Sequence, residues 1–216
     1  MEKPYPKIND AAVLVGGGEI YPSDVAILKK LPYRVFCADG GVRNARAFGL
    51  SPVAVIGDMD SCDPADLAGV ERVETPDQNQ TDFEKSLVHI GSNCLFCFGF
   101  WGKRLDHSLA ALSVMAQRRQ SHPILFSDED ICFRAPKHLH LKLGSGDPIA
   151  FFPMSDVRAK SKGLAYPLDG LDLTPAGQIS SSNQAEGAVV LDDVNGDLLV
   201  IVPKRFLDVV LEALTA

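Results

Sequence analysis

The chain has no run of basic residues, and its overall charge is acidic. Its 216 residues hold 21 Lys and Arg against 28 Asp and Glu, which gives a net charge of −7. Non-specific binding to a nucleic-acid backbone needs a basic face, which this composition does not supply. We therefore expect no nucleic-acid partner, and an anionic substrate would need a metal ion or local hydrogen-bond donors.

Long apolar runs and a disulfide framework are missing as well. No apolar run approaches the roughly 18 to 20 residues of a membrane span. The opening stretch MEKPYPKIND lacks the charged-then-apolar layout of a secretory signal. The five cysteines are an odd number, which argues against a set of disulfides. These features predict a cytoplasmic protein with reduced thiols and no membrane partner.

One cysteine pair has the spacing of a redox motif. Cys94 and Cys97 stand in CLFC, but thioredoxin-type motifs open a helix, whereas this one lies inside the apolar run CLFCFGF. A buried strand is therefore the better interpretation.

Two textures divide the chain. Over residues 1–134, short apolar runs such as AAVLV and RVFCA alternate with helical patterns, including a helix from about Asp106 to Gln120. This alternation predicts βαβ units around a mostly parallel sheet. Over residues 135–216, short β-like runs are separated by Gly, Pro, Asp and Asn, before a final helix. We predict an α/β fold in which the first domain is followed by a smaller all-β, sandwich-like domain.

Polar residues follow each predicted strand of the first domain. The segments are GGGE, ADGG, GDMDS, TPDQNQTD and GFWGKRLDH, and they carry glycines, carboxylates and one Lys/Arg pair. Ligands of open α/β sheets bind beyond the carboxyl ends of the strands. The sequence therefore predicts a functional site at this rim.

The glycine segments have two interpretations each. GGG, around Gly17, is either a turn or a loop that lets backbone N–H groups approach an anion, and it matches neither the Walker nor the dinucleotide pattern. In ADGG, Asp39 and Gly40 form either a tight turn, with Asp39 capping the next helix, or part of the site.

Two aspartates in GDMDS stand two residues apart. If the chain is extended there, Asp58 and Asp60 lie on one side of it. Like charges held together raise each other's pKa unless a cation lies between them, and Mg²⁺ prefers such oxygen ligands. We favour a magnesium site, which would in turn attract polyphosphate, over a solvated loop.

The segment DQNQTDFE begins a helix. Thr81 and Glu84 have the spacing of a capping box, so a structural role explains them. Asp77 and Asp82 are not needed for that box, and for them a functional role is slightly favoured over a place in the loop or first turn.

A basic pair precedes another predicted helix. Lys103 and Arg104 can meet phosphate oxygens, Arg104 through a bidentate fork. Asp106 is either an N-cap or a site carboxylate, and His107 is as readily structural as catalytic.

In order and spacing, ADGGVRNA, VAVIGDMDS, DQNQTDFEKSL and GFWGKRLDHSLAAL resemble the signature blocks of the thiamine pyrophosphokinase (thiamine diphosphokinase) family. The later stretches SKGLAYPLDGLDL and ISSSNQA look like its C-terminal domain. The resemblance implies an ATP- and Mg²⁺-dependent homodimer that places a diphosphate on thiamine and releases AMP. It also implies active sites between subunits, with thiamine held partly by the C-terminal domain of the other subunit.

By this resemblance, the ATP–metal site contains Asp39, Asp58, Asp60, Asp82 and Asp106, with Asn44, Gln80, Thr81, Lys103 and Arg104 around it. The expected metal ligands are Asp58, Asp60 and Asp82. Asp58, Asp60, Asp82, Asp106 and Arg104 form the expected catalytic set. Tyr166, Ser182 and Asn183 are the corresponding candidates for thiamine.

Two departures from the family pattern stand out. LAAL places Ala111 where the family often has Asn, and Tyr166 stands where some members have a Trp that stacks on the vitamin. Two other functions fit the same first domain. One is a diphosphokinase for another alcohol, such as a hydroxymethylpterin, and the other is a nucleotide-binding sensor without turnover.

Overall fold

The computed structural model describes residues 8–118 and 121–215. The chain divides between Asp128 and Glu129 into two compact units. No helix within the described residues is long and apolar enough to cross a membrane. Residues 1–7, which belong to the opening stretch MEKPYPKIND, lie outside the described part.

The first unit is built on a parallel sheet. Its strands are β1 (Ala11–Val15), β2 (Arg34–Ala38), β3 (Ala54–Gly57), β4 (Glu71–Glu74), β5 (Cys94–Phe98) and β6 (His122–Phe126). Its helices are α1 (Pro22–Leu28), α2 (Gly41–Ala47), α3 (Asp82–Ile90) and α4 (Leu105–Gln117). The strand order is β6-β5-β1-β2-β3-β4, and every pair is parallel. The predicted α/β architecture is confirmed.

Burial explains which strands are central. All five residues of β5 are buried, as is typical of a parallel strand covered on both faces. Cys94 and Cys97 belong to that core, and burial raises the pKa of the Cys94 thiol to about 12. The interpretation of CLFC as a core strand is therefore confirmed.

The order of the strands fixes where a crevice opens. From β1 the chain runs outward through β2, β3 and β4, then returns to place β5 on the other side of β1. At such a switch point the connections leave in opposite directions, which opens a crevice beyond the carboxyl ends of the strands. The segments after β1, β2 and β5 all meet there.

The second unit is antiparallel. It contains β7 (Asp130–Arg134), β8 (Leu139–Leu141), β9 (Pro148–Pro153), β10 (Arg158–Leu164), β11 (Ser180–Asn195) and β12 (Leu198–Pro203). A 3₁₀ turn (Lys204–Phe206) and α5 (Leu207–Thr215) follow. The long β11 pairs with β9 near its start and with β8 and β10 further along. The β-rich character predicted for this region is confirmed.

Three details differ from the sequence-based predictions. The strand β7, placed by sequence in the first domain, pairs with β12, so the unit boundary precedes residue 134. The strand β10 is not indicated by the sequence, because RAKSKGL has too few apolar residues to show a period of two. The helix α4 ends at Gln117, while residues 119–120, where its end was predicted, lie outside the described part.

Candidate active site

A cavity of about 520 Å³ opens at the predicted rim of the first unit. Its walls come from the segments after β1, β2, β3 and β5 and from the starts of α3 and α4. The sequence candidates that line it are Gly17, Asp39, Gly40, Asp58, Gln80, Thr81, Asp82, Lys103, Arg104 and His107. Residues far apart in sequence therefore share one pocket.

The glycine loop after β1 is held from behind by Asn44. The side-chain amide of Asn44 donates to the carbonyls of Gly16 and Gly18, at 2.8 and 2.9 Å. Glycine is required there because a Cβ at Gly16 or Gly18 would lie 2.5 Å from the carbonyl oxygen of Gly99. Asn44 does not line the cavity, so its direct role is to shape the loop.

Three carboxylates gather beside this loop. One oxygen from each of Asp39, Asp58 and Asp60 lies within 4.8 Å of the others. Asp39 is only 7% exposed, and its side chain does not cap α2, whose N-cap is Gly40. The capping alternative for Asp39 is therefore wrong.

A turn, and not an extended strand, brings Asp58 and Asp60 together. Strand β3 ends at Gly57, and Met59 adopts a left-handed backbone with φ 67°. The backbone N–H of Asp60 then donates to Oδ1 of Asp58 at 3.3 Å. The aspartates meet as expected, but the assumption of extended chain was wrong.

Neighbours that the sequence analysis did not select hold two of these carboxylates. Gln78 donates to Oδ2 of Asp58 at 2.8 Å, and this bond is the largest cause that lowers the pKa of Asp58. The Cys62 thiol donates to Oδ1 of Asp39 at 3.4 Å. Burial, and then the charge of Asp39, raises the pKa of Cys62 to about 12, which keeps it a neutral donor. Gln78 could have been found from its place among the rim segments.

Asp82 faces the cavity from the start of α3. Burial raises the pKa of Asp82, while the Lys85 ammonium, 3.2 Å from its Oδ1, opposes that rise. Asp82 is not part of the group formed by Asp39, Asp58 and Asp60. Lys85 lines the same cavity and was also missed, although its spacing from Asp82 in TDFEK gave a signal.

The rest of the α3 entrance is structural. Thr81 caps α3 by accepting from the backbone N–H of Glu84 at 3.2 Å, as predicted, but the Glu84 side chain does not complete the predicted capping box. The Glu84 carboxylate accepts from Arg118 at 2.6 Å and from Gln80 at 3.4 Å. Asp77 accepts from the backbone and side chain of Asn79, both at 2.9 Å, and does not line the cavity.

The basic pair is divided between two tasks. The Lys103 ammonium donates to the carbonyl of Gly17 at 3.1 Å, which ties it to the glycine loop. Arg104 makes a bidentate contact with Asp106, at 3.1 and 2.5 Å, and holds the pKa of that carboxyl at about 2. Arg104 is also the N-cap residue of α4, so Asp106 is not the cap.

In the second unit, Tyr166 and Asn183 are linked directly. Tyr166 is 67% exposed, whereas Asn183 is 2% exposed. The Asn183 side chain accepts from the backbone N–H of Tyr166 at 3.1 Å and donates to its carbonyl at 2.6 Å. Ser180 and Gln184 complete its hydrogen bonds, so Asn183 holds the Tyr166 backbone in place. Ser182 is exposed on β11.

The cluster of Asp39, Asp58 and Asp60 fits a hard divalent cation. Three anionic oxygen donors within a few ångströms of one another match the preference of Mg²⁺ for carboxylates, with water and phosphate as further ligands. Because Asp39 and Asp58 also line the cavity, a bound polyphosphate could approach the same ion.

Comparisons with known proteins point to one family. Residues 26–126 match the family model "Thiamin pyrophosphokinase, catalytic domain", and residues 137–191 match "Thiamin pyrophosphokinase, vitamin B1 binding domain". Thiamine pyrophosphokinase 1 of Oryza sativa subsp. japonica is 28% identical, over 71% of this chain and 67% of its own length.

Solved structures share the fold. The thiamine pyrophosphokinase of Bacillus subtilis is 21% identical with a TM-score of 0.75, covering 89% of this chain and 98% of its own. The yeast enzyme is 16% identical with a TM-score of 0.76, covering 93% of this chain and 88% of its own. At these identities the structures establish the fold alone. Because the two family models together span most of its length, the chain belongs to the thiamin pyrophosphokinase family.

Proposed function

We propose that the rim cavity is where this chain acts as a thiamine diphosphokinase, transferring a diphosphate group from ATP to the hydroxyethyl group of thiamine. Membership of the family supports the activity. The observation that supports the location is the group of Asp39, Asp58 and Asp60 beside a glycine loop. The match to a vitamin B1 binding domain favours thiamine over a pterin, and the match to a catalytic domain favours turnover over a nucleotide sensor.

In this proposal the carboxylates serve the polyphosphate. Asp39, Asp58 and Asp60 would hold Mg²⁺, and Asp82 extends the acidic wall of the cavity. A divalent ion held by these carboxylates would supply positive charge that offsets the charge of the phosphates. The chain's own contribution is to fix these oxygens before ATP arrives, through Gln78 on Asp58 and Cys62 on Asp39.

Backbone and basic side chains would receive the phosphates. Gly17 and Gly40 line the cavity, and the absence of a side chain at a glycine lets backbone N–H groups approach an anion closely. Lys103 and Arg104 line the same wall and can take up charge that develops on the transferred group.

The transfer itself requires mainly alignment. The thiamine hydroxyl oxygen attacks the β-phosphorus of ATP, the bond from that phosphorus to the oxygen that bridges it to the α-phosphorus breaks, and AMP leaves with that oxygen. Asp82 and Asp106, both in the expected catalytic set, are the candidates to orient the hydroxyl. Asp82 lines the cavity, whereas Asp106 is engaged by Arg104 and does not. We therefore assign the orienting role to Asp82.

Thiamine binding is assigned to the second unit. Tyr166 offers an exposed aromatic face to a vitamin that carries a permanent thiazolium charge and a flat pyrimidine. Such contacts are worth on the order of 0.5 to 2 kcal/mol. Ser182 and Asn183 lie on β11, and Asn183 would act through the Tyr166 backbone, to which it is hydrogen-bonded. We further propose a cytoplasmic homodimer with sites shared between subunits.

Product analysis tests the reaction. Purified protein with ATP, Mg²⁺ and thiamine should yield thiamine diphosphate and AMP in equal amounts, and neither product should form without thiamine or with excess chelator. Coupled formation of ADP would contradict diphosphate transfer. Absence of thiamine-dependent turnover would contradict the assigned function.

Mixed subunits test the shared site. Protomers carrying Tyr166→Ala are re-associated with protomers carrying Asp58→Asn, so that each heterodimer has one site with neither change. At a thiamine concentration well below the KM of the Tyr166 variant, the mixture should exceed both parents in activity. Verified heterodimers that show no gain would contradict the sharing of sites.

A further inference from the structure

Lys85 is an unusual lysine, because its side chain is only 4% exposed. Lysine is rarely buried so fully unless it is paired, since an ammonium taken out of water loses strong hydration. Its partner is Asp82, whose Oδ1 lies 3.2 Å from the Lys85 ammonium. Both residues line the rim cavity. This cation therefore belongs to the site and not to the outer surface.

The place of Lys85 in α3 does not favour the helix. Thr81 is the N-cap and Asp82 the first residue of α3, so Lys85 lies near the helix start. That end carries the positive pole of the helix dipole, which favours acidic residues and disfavours a lysine. The i,i+3 ion pair with Asp82 is the contact that offsets this effect. The compensation for Lys85 comes from the acidic rim.

The geometry leaves Asp82 half engaged. Residues three apart share a helix face, which lets Lys85 reach one oxygen of the Asp82 carboxylate. No hydrogen bond from a described residue reaches the other Asp82 oxygen, which can therefore accept from a ligand in the cavity. The Lys85 charge also contributes, after Gln78 and the Asp60 backbone N–H, to the low pKa of Asp58, so its field extends across the acidic wall. Of the charges that act most strongly on Asp82, Lys85 attracts its carboxylate, whereas Asp39 and Asp58 repel it. Without Lys85, Asp82 would favour turning toward solvent.

We propose that Lys85 is a positioning residue, whose ammonium holds the Asp82 carboxylate in the cavity where that carboxylate orients the thiamine hydroxyl. The inference rests on the proposed function. It distinguishes Lys85 from Lys103 and Arg104, which would meet phosphate directly.

A double-mutant cycle tests whether Lys85 acts through Asp82. Lys85→Met keeps the length of the side chain and removes its charge, and we expect kcat to fall roughly tenfold to a hundredfold with a smaller change in the KM for ATP. Lys85→Arg should recover a large part of that loss. If Lys85 acts through Asp82, the double variant Lys85→Met/Asp82→Asn should lie within about twofold of Asp82→Asn alone.

The control is Arg118→Met, which removes another cation paired with an α3 carboxylate, Glu84, outside the cavity. It should leave kcat within about twofold of the unmodified protein, since Arg118 touches no rim carboxylate. A crystal structure of Lys85→Met gives a readout that does not depend on turnover. In it, the Asp82 carboxylate should have left its place in the cavity.

Three results would overturn the inference. Multiplied losses in the double variant would show that Lys85 acts independently of Asp82, as a direct phosphate ligand would. An unchanged kcat, or an unmoved Asp82 in the Lys85→Met crystal, would remove the positioning role. Failure of the unmodified chain to turn over thiamine would instead contradict the proposed function, so the two failures can be told apart.

Discussion

The two units gather their candidate residues by different means. In the first, the strands are parallel, so segments that follow β1, β2, β3 and β5 all emerge at one edge, whatever their separation in sequence. In the second, the strands are antiparallel, and successive strand ends alternate between edges. There the contact between Tyr166 and Asn183 depends on one side chain that bridges two strands' ends. In the parallel sheet, strand order alone brings the candidate residues together. In the antiparallel unit, specific hydrogen bonds are needed to hold two candidates in contact.

The largest effect on activity should come from the aspartates that the strand order brings together at the rim. In Asp58→Asn or Asp60→Asn the shape is kept but an anionic oxygen ligand is lost, so turnover should fall by about a hundredfold or more. The fold should be unaffected, because a solvent-facing acidic pair contributes little stability. Steady-state kinetics, with thermal melting to verify the fold, measures both.

Asp63→Asn is the matched control for this pair. Asp63 follows in the same loop, but its carboxylate accepts only from the backbone N–H of Ala65 and lies outside the group. It should keep normal turnover. Near-normal activity in both Asp58→Asn and Asp60→Asn would show that the two residues belong to an ordinary solvated loop, and it would remove the basis for a magnesium site.

The second effect concerns the loop that Asn44 holds. Asn44→Ala removes the bonds to the Gly16 and Gly18 carbonyls, each worth about 1 kcal/mol. If ATP must restore the loop before binding, its KM should rise roughly tenfold to thirtyfold. The KM for thiamine should change little, because the loop belongs to the phosphate side. Equal rises for both substrates would indicate a general loss of structure instead.

The sequence predicted the rim well because only the order of strand ends was needed. It placed Asp39, Asp58 and Asp82 at one edge without any knowledge of side-chain contacts, and the cavity contains all three. It did not find the left-handed turn at Met59 or the bond from Gln78 to Asp58, because these depend on backbone angles and on loops that meet only after folding.

The second unit was predicted less completely, because its strands carry a weaker apolar pattern and its side-chain directions depend on strand pairing. The strand β10 exposes Lys160 and Lys162 and buries mainly Ala159 and Leu164, so its apolar signal is weak. Nothing in ISSSNQA shows that Asn183 points inward while Ser182 points outward, since that follows from the pairing of β11. Family resemblance selects Tyr166, Ser182 and Asn183 together, but only the structure shows that their side chains have different roles.

The third effect tests the aromatic face. Tyr166→Ala should raise the KM for thiamine roughly threefold to thirtyfold, the equivalent of losing on the order of 0.5 to 2 kcal/mol of stacking or cation–π contact. Stability should hardly change, because the side chain is 67% exposed. Tyr166→Trp should retain or improve thiamine affinity, since its ring is larger. An unchanged KM in the alanine variant would end the assignment of Tyr166 to thiamine.

The smallest effect separates the two neighbours on β11. The Asn183 amide is fully engaged by the protein, so any influence on thiamine passes through the Tyr166 backbone. Asn183→Ala should therefore raise the KM for thiamine no more than Tyr166→Ala does, and combining the two should add less than about twofold. The melting temperature should fall, because the hydrogen-bond partners of the Asn183 side chain are left unsatisfied. This should lower the free energy of unfolding by about 1 kcal/mol or more. Ser182→Ala, at an exposed neighbouring position, should leave the melting temperature unchanged. A rise in KM for Asn183→Ala that exceeds the effect of Tyr166→Ala, in a protein that still melts cooperatively, would show that Asn183 acts on thiamine by a route other than Tyr166.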